Sequence, residues 1–238
     1  MTDPAPPLPP STAIAPRRRG VRPLHLALDV IGAVGLVMGL YRFVQLTRGW
    51  MTYDEGILLT HTWVLMHGGW PFRDFYTQYP PGIYLLLAAL WKVVGVSVLS
   101  DRILSDVIRA SIALVAGVIG GRLSGRRFAL LPAGVVAVWL AVIAGPPFAW
   151  FVALLCALLT ALGLERAFVR RSRGWLAGSG ALLALTFSFR HDLALYLCVA
   201  LVPVAAYALF IVRPRPVAPI AALRALGLLA AGAAPVLV

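Results

Sequence analysis

Long uninterrupted apolar runs constrain this chain more than any other feature of its sequence. The runs are about 17 to 25 residues long, the length a helix needs to cross a hydrocarbon core of about 30 Å. Segments rich in arginine, proline or glycine separate them. They lack the short polar–apolar alternation of a transmembrane β-strand, and a span in lipid must pair its own backbone groups. The sequence therefore predicts an all-α, polytopic integral membrane protein.

Composition and charge agree with this prediction. Hydrophobic residues make up 61% of the 238 residues and charged residues only 13%, against about 45–50% and about 25% in soluble domains. The net charge of +12 would suggest a nucleic-acid partner in a soluble chain. Here the basic residues sit mainly at the ends of apolar runs, so we assign them to topology and predict no nucleic-acid binding. Cys156 and Cys198 lie inside apolar runs without metal-ligand spacing, and no metal site is predicted.

The distribution of arginines predicts the topology. Residues 1–22 form a proline-rich, basic, disordered cytoplasmic tail, and residues 23–238 form one transmembrane domain. The first span, 24–46, leads to a polar first extracytoplasmic loop, 48–100. Within it, Thr52-x-x-Glu55 fits a capping box and Gly68-Gly69 a stop, which predicts a short interfacial helix.

The apolar run 83–98 is predicted to be a second interfacial helix that does not cross. If it crossed, Arg122, Arg126 and Arg127 would lie outside, against the positive-inside rule. Six further spans follow the first, which gives about seven in total: 103–121, 128–144, 148–168, 175–189, 193–212 and one from 218 onward. Because the last run stops at Val238 without a polar tail, we expect the chain to be a fragment of a longer protein.

Asp54 and Glu55 are the first candidates for chemistry. They follow the first span, where the membrane interface can raise a carboxylate pKa toward that of a general base. The alternative is structural: Glu55 completes the capping box with Thr52, and Asp54 favours a helix N-terminus.

Basic residues in and after the loop are candidates for phosphate binding. Arg73 and Asp74 lie among aromatic residues that could bind a sugar face or a phosphate, or form an interfacial belt with one local ion pair. Three further basic residues could face an anion: Lys92, which is the only lysine, Arg102 and Arg109. Alternatively, Lys92 snorkels, and the two arginines pair with Asp101 or Asp106.

The segment Arg190-His191-Asp192 is a second polar cluster. It follows an outward span, so we expect it to converge on the first loop. The lone His191 has no second histidine or cysteine at ligand spacing and is not predicted to bind metal.

Several motifs in order resemble the GT-C glycosyltransferases, in the branch of protein O-mannosyltransferases, aminoarabinose transferases and galacturonosyltransferases. These motifs are Asp54-Glu55 after the first span, the segment 69–74 ending in Asp74, Pro80-Pro81, and a helix ending near Gly95. The later segments GRLSGRR and FRHDLALY also resemble this family. The resemblance covers the amino-terminal half of a usual member. Tyr79 stands where many relatives have His or Asp, which leaves the acceptor open.

The resemblance implies an inverting transfer of a sugar from a polyprenyl-phosphate donor to a lipid, glycan or protein on the non-cytoplasmic side of a cell membrane, with a bacterial inner membrane expected. It implies Asp54 as general base beside Glu55. Substrate contacts are expected from Arg73, Asp74, Tyr79, Lys92, Arg102, Arg190, His191 and Asp192. Some relatives use a divalent ion and others do not, so no cofactor is assigned. The competing function is a multi-pass transporter or flippase subunit, which would place its ionisable groups near the membrane midplane.

Overall fold

All regular structure in the described part of the chain is helical. The computed structural model describes residues 22–44, 52–142, 148–170 and 172–210. These ranges contain eight α-helices and one short 3-10 helix, with no β-strand, which confirms the all-α prediction. Most of the predicted tail, the turn around Gly145 and the span from residue 218 lie outside the described residues.

The helices follow the predicted apolar runs closely. Two of them, α4 and α6, are long and apolar enough to cross a membrane. In chain order the elements are α1 (Arg22–Val44), α2 (Thr52–Met66), α3 (Gly82–Val94), α4 (Val98–Ser124), a 3-10 turn (Arg126–Phe128), α5 (Leu130–Val142), α6 (Ala149–Arg170), α7 (Arg173–Phe189) and α8 (His191–Phe210).

Helix α2 lies where the capping and stop signals predict it. It begins at Thr52 and ends at Met66, just before Gly68. Gly68 has a φ of 92°, a left-handed conformation that glycine adopts without steric cost. The predicted short helix of the first loop is therefore confirmed.

Helix α3 is short and buries one stripe. Its 13 residues span about 20 Å, less than the about 30 Å of a hydrocarbon core. Ile83, Tyr84, Leu87 and Trp91 are buried along one face. The length of α3 is compatible with the prediction that the run 83–98 does not cross, and its membrane placement stays a prediction.

Close backbone approach through small residues joins several helices. A side chain at Gly35 of α1 would lie 2.9 Å from the Gly134 carbonyl of α5. Gly117 of α4 is similarly close to the Ala129 carbonyl oxygen, at 2.9 Å. Small residues at such positions are typical of helix packing in membranes, where no hydrophobic effect draws helices together.

Helices α4 and α6 run parallel, and this fixes the two ends of the bundle. The two helices pack together, and Arg122 near the end of α4 binds Glu165 near the end of α6. Their N-terminal halves meet as well, since the Arg109 guanidinium lies 4.7 Å from the Phe151 ring centroid. We call the end where α4 and α6 begin the upper end. The buried core beneath it joins α2, α3, α4, α5, α6 and α7.

Candidate functional site

Charged side chains of the first loop and of α4 meet at the upper end. Glu55 in the first turn of α2 accepts two hydrogen bonds from Arg102 in α4. The Arg102 Nε lies 2.8 Å from one carboxylate oxygen and the Nη2 3.0 Å from the other. The side chains are only 8% and 16% exposed. Glu55 thus makes a tertiary contact, where the sequence had suggested a local capping contact, and it joins the first loop to α4.

Asp101 lies beside this ion pair and is fully buried. Neither of its carboxylate oxygens has a hydrogen-bond partner among the described residues. The charges of both Glu55 and Arg102 act on it. Two carboxylates and one guanidinium therefore share a small space, which we call the α2–α4 cluster: Glu55, Asp101 and Arg102.

Asp54 faces away from the α2–α4 cluster. It is exposed in the first turn of α2. Adjacent helical residues point about 100° apart, so α2, held by Glu55, presents Asp54 toward the surroundings. An exposed carboxylate next to a fixed one is accessible to a substrate.

Deeper in α4, buried Arg109 pairs with partly buried Asp106. Their closest oxygen and nitrogen atoms are 3.7 Å apart, and the guanidinium also covers the Phe151 ring. The sequence offered Asp101 or Asp106 as partners for the α4 arginines. In the structure Arg109 pairs with Asp106, whereas Arg102 binds Glu55.

The Arg73–Asp74 pair shapes the aromatic loop itself. The Asp74 carboxylate accepts hydrogen bonds from the Trp70 backbone N–H at 2.6 Å and from the Arg73 Nε at 2.9 Å. The bond from the Arg73 guanidinium, followed by the Trp70 bond, lowers the pKa of Asp74. Arg73 also donates to the Gly68 carbonyl. The predicted local ion pair within the loop is therefore confirmed, and a substrate contact by Arg73 stays a prediction.

The next part of the loop is anchored on α3. The Thr77 hydroxyl lies 2.5 Å from the Tyr84 hydroxyl and accepts a bond from the Tyr79 backbone N–H at 3.1 Å. His61 of α2 packs against Phe75, with ring centroids 4.5 Å apart, and its burial lowers its pKa. These contacts fix the course of the loop up to Tyr79.

Tyr79 leads directly to the second polar cluster. Its ring centroid lies 5.8 Å from the Arg190 guanidinium carbon. Arg190 stands between α7 and α8 and donates two bonds to Asp192, at 2.8 and 2.7 Å. This bidentate contact lowers the pKa of Asp192, which precedes the apolar part of α8, to about 2. The predicted convergence of this segment on the first loop is confirmed.

A glycine makes that convergence possible. A side chain at Gly82 would lie 2.5 Å from the Ser188 carbonyl oxygen of α7 and 3.2 Å from the Phe189 ring. Pro80-Pro81-Gly82 thus does more than end one segment. It brings the start of α3 against the last two residues of α7, which directly precede Arg190.

An open cavity of about 420 Å³ lies between the upper ends of α5, α6 and α8. Two of its walls are indoles: the Trp139 and Trp150 ring centroids are 6.0 Å apart, at an interplanar angle of 61°. Trp150 also stacks on the buried Phe151 at 3.9 Å. The cavity is lined by Trp139, Trp150, Leu154, Arg190, Asp192 and Leu193.

The predicted site residues thus divide into separate groups. Glu55 and Arg102 meet at the α2–α4 cluster, and Tyr79, Arg190 and Asp192 meet near the cavity. Lys92 and His191 are exposed. Arg73 is bound to Asp74 in the aromatic loop and Arg102 to Glu55, and the role of these basic residues in substrate binding stays a prediction.

The sequence motifs did not identify Trp139 and Trp150 as candidate site residues. The available signal was two tryptophans flanking the Gly-Pro-Pro turn at the outer ends of consecutive apolar runs. Across the described ranges, no group of three or more His, Cys, Asp or Glu side chains could hold a metal ion.

Comparisons of the chain with protein families, curated proteins and solved structures found no match. The functional interpretation therefore rests on the residues of this chain.

Proposed function

We propose that this chain is a multi-pass membrane glycosyltransferase of the GT-C type, with about seven spans and its active site at the upper end, facing the non-cytoplasmic side. It transfers a sugar from a polyprenyl-phosphate donor to an acceptor hydroxyl, with inversion. The motifs of the first loop support the family. The observation that carries the proposal is that Tyr79 of this loop contacts Arg190, so two motif-bearing segments far apart in sequence meet at one end of the bundle.

The chemistry needs one base and a held phosphate. A lipid phosphate leaves readily when its charge is stabilised, so the reaction requires no general acid, only a carboxylate that takes the acceptor proton. Asp54 is the proposed base, since it is exposed beside Glu55, whose carboxylate Arg102 holds. Glu55 is then a positioning residue. Arg102, at the top of α4, and exposed Lys92 are the basic groups proposed to face the phosphate.

The activity test uses the purified protein in proteoliposomes with labelled polyprenyl-phosphate sugars. We expect Asp54→Asn to lower turnover by about 10²- to 10⁴-fold, the usual contribution of a general base, while donor binding is largely kept. Glu165→Gln is the matched control, because this carboxylate lies at the opposite end of the bundle. Equal turnover in Asp54→Asn and wild type would remove the base assignment.

The transporter function has one observation in its favour. Buried Arg109 and partly buried Asp106 form a pair near the middle of α4, where a translocation path would need ionisable groups. If no sugar is transferred, but Arg109→Met abolishes movement of a lipid-linked or anionic solute across the vesicle membrane, the transporter function replaces the proposed glycosyltransferase function.

A further inference from the structure

The cavity at the upper end combines two aromatic walls with an ion pair whose charges cancel. Trp139 is half exposed at the end of α5, and Trp150 is held in place by its stacking on Phe151. The two indole planes meet at 61° and form a corner. Arg190 and Asp192 line the same cavity. Its volume of about 420 Å³ falls in the range of about 300–1,000 Å³ for small-molecule sites.

The Arg190–Asp192 ion pair disfavours the binding of an anionic ligand in this cavity. Both oxygens of Asp192 accept bonds from Arg190, and the low pKa of Asp192 keeps this carboxylate charged at neutral pH. A phosphate approaching Arg190 would have to displace Asp192 or lie beside its negative charge. An uncharged polar ligand does not have to displace Asp192 and is not repelled by its charge. It can donate a hydrogen bond to the carboxylate and accept one from the guanidinium while the ion pair stays intact.

A sugar ring has the matching shape and chemistry. A pyranose presents an apolar face of C–H bonds, which packs on an indole, and an edge of hydroxyls, which pair with carboxylate and guanidinium groups. We propose that this cavity binds the uncharged sugar of the lipid-linked donor, while the donor phosphate lies outside it. The inference rests on the proposed function for the identity of the donor, and it makes the substrate contact expected of Arg190 a contact with the sugar.

Binding measured without acceptor tests this inference. Polyprenyl phosphate, polyprenyl-phosphate hexose and polyprenyl-phosphate hexuronic acid are titrated into the protein in nanodiscs, and their dissociation constants are compared. We expect the hexose form to bind at least about tenfold more tightly than polyprenyl phosphate and than the uronic acid form. Equal binding of all three by the wild type would overturn the inference.

Two variants test whether the cavity residues cause the tighter binding of the hexose form. Trp139→Leu removes one wall at a half-exposed position, so the fold should tolerate it, and Asp192→Asn removes the carboxylate. Both should bring the ratio between the hexose form and polyprenyl phosphate toward one. Binding of polyprenyl phosphate should be unchanged in Trp139→Leu and no weaker than wild type in Asp192→Asn, because Asp192→Asn removes a negative charge beside Arg190. Trp175→Leu, at the opposite end of the bundle, should keep the wild-type ratio. A circular dichroism spectrum checks the helix content of each variant.

Two results would each refute the sugar site. If Trp139→Leu and Asp192→Asn weaken polyprenyl phosphate as much as its hexose form, the cavity holds the phosphate. If neither changes any constant, the tryptophans serve only as an interfacial belt. A protein that binds the hexose form as expected but transfers no sugar would contradict the proposed enzyme and leave the sugar site standing.

Discussion

The Glu55–Arg102 contact gives the sharpest test of how the first loop is held. Breaking a buried ion pair from one side costs about 3–5 kcal/mol, because the remaining charge stays buried without its partner. Arg102 keeps 16% of its side chain exposed, so we expect about 3 kcal/mol for Glu55→Gln, at the low end of that range. The coupling energy from the double-mutant cycle should be about 1.5–3 kcal/mol, the range for hydrogen bonds to charged groups.

Arg102→Met and Glu55→Gln should lower the free energy of unfolding by different amounts. Arg102→Met leaves the Glu55 and Asp101 carboxylates side by side with no cation between them, and Asp101 is fully buried. Glu55→Gln leaves Arg102 with Asp101 still beside it. Arg102→Met should therefore lower the free energy of unfolding more than Glu55→Gln does.

The measurement is reversible unfolding in mixed detergent micelles, followed by circular dichroism. The Arg73–Asp74 pair is the matched control, because its side chains are 68% and 39% exposed, and exposed pairs contribute little. Its cycle should show no measurable coupling. Equal coupling in both cycles, or a smaller cost for Arg102→Met than for Glu55→Gln, would refute the reasoning.

Two further predictions concern packing and topology. Gly82→Ala should destabilise the protein by about 1–3 kcal/mol, because its methyl group would lie 2.5 Å from the Ser188 carbonyl oxygen. Gly178→Ala is the control in the same unfolding assay. It should be neutral or stabilising, because a methyl group there would have nothing within 4 Å. In a variant lacking both native cysteines, a cysteine replacing the highly exposed Tyr76 should react with an impermeant thiol reagent in intact cells, and one replacing Ser124 should not. The reverse labelling pattern would invert the proposed orientation.

Local signals in the sequence were sufficient to place the helices. Apolar runs locate each described span, and Gly68 ends α2 as expected, because a helix end depends on a few neighbouring residues. The meeting of Arg190 with the first loop also followed, since the predicted topology brings these two segments to one end of the bundle.

The partners within the site could not be predicted in the same way. Glu55 had a suitable local partner in Thr52 and distant ones in several arginines, and only the rotation of α4 decides that Arg102 faces it. The contact between Trp139 and Trp150 could likewise not be predicted. Their meeting depends on how α5 and α6 are rotated about their axes, which one sequence does not specify.

The close packing of α1 against α5 has a consequence for how the protein is made. Gly32 in α1 approaches the backbone of α5 around Gly134, about a hundred residues later in the chain. At a synthesis rate of about 5–20 residues per second, α1 waits about 5–20 seconds before its partner leaves the ribosome. If α1 spans the membrane as proposed, its glycine face meets lipid or the insertion machinery during that interval, so an insertase that shelters α1 should raise the yield of folded protein.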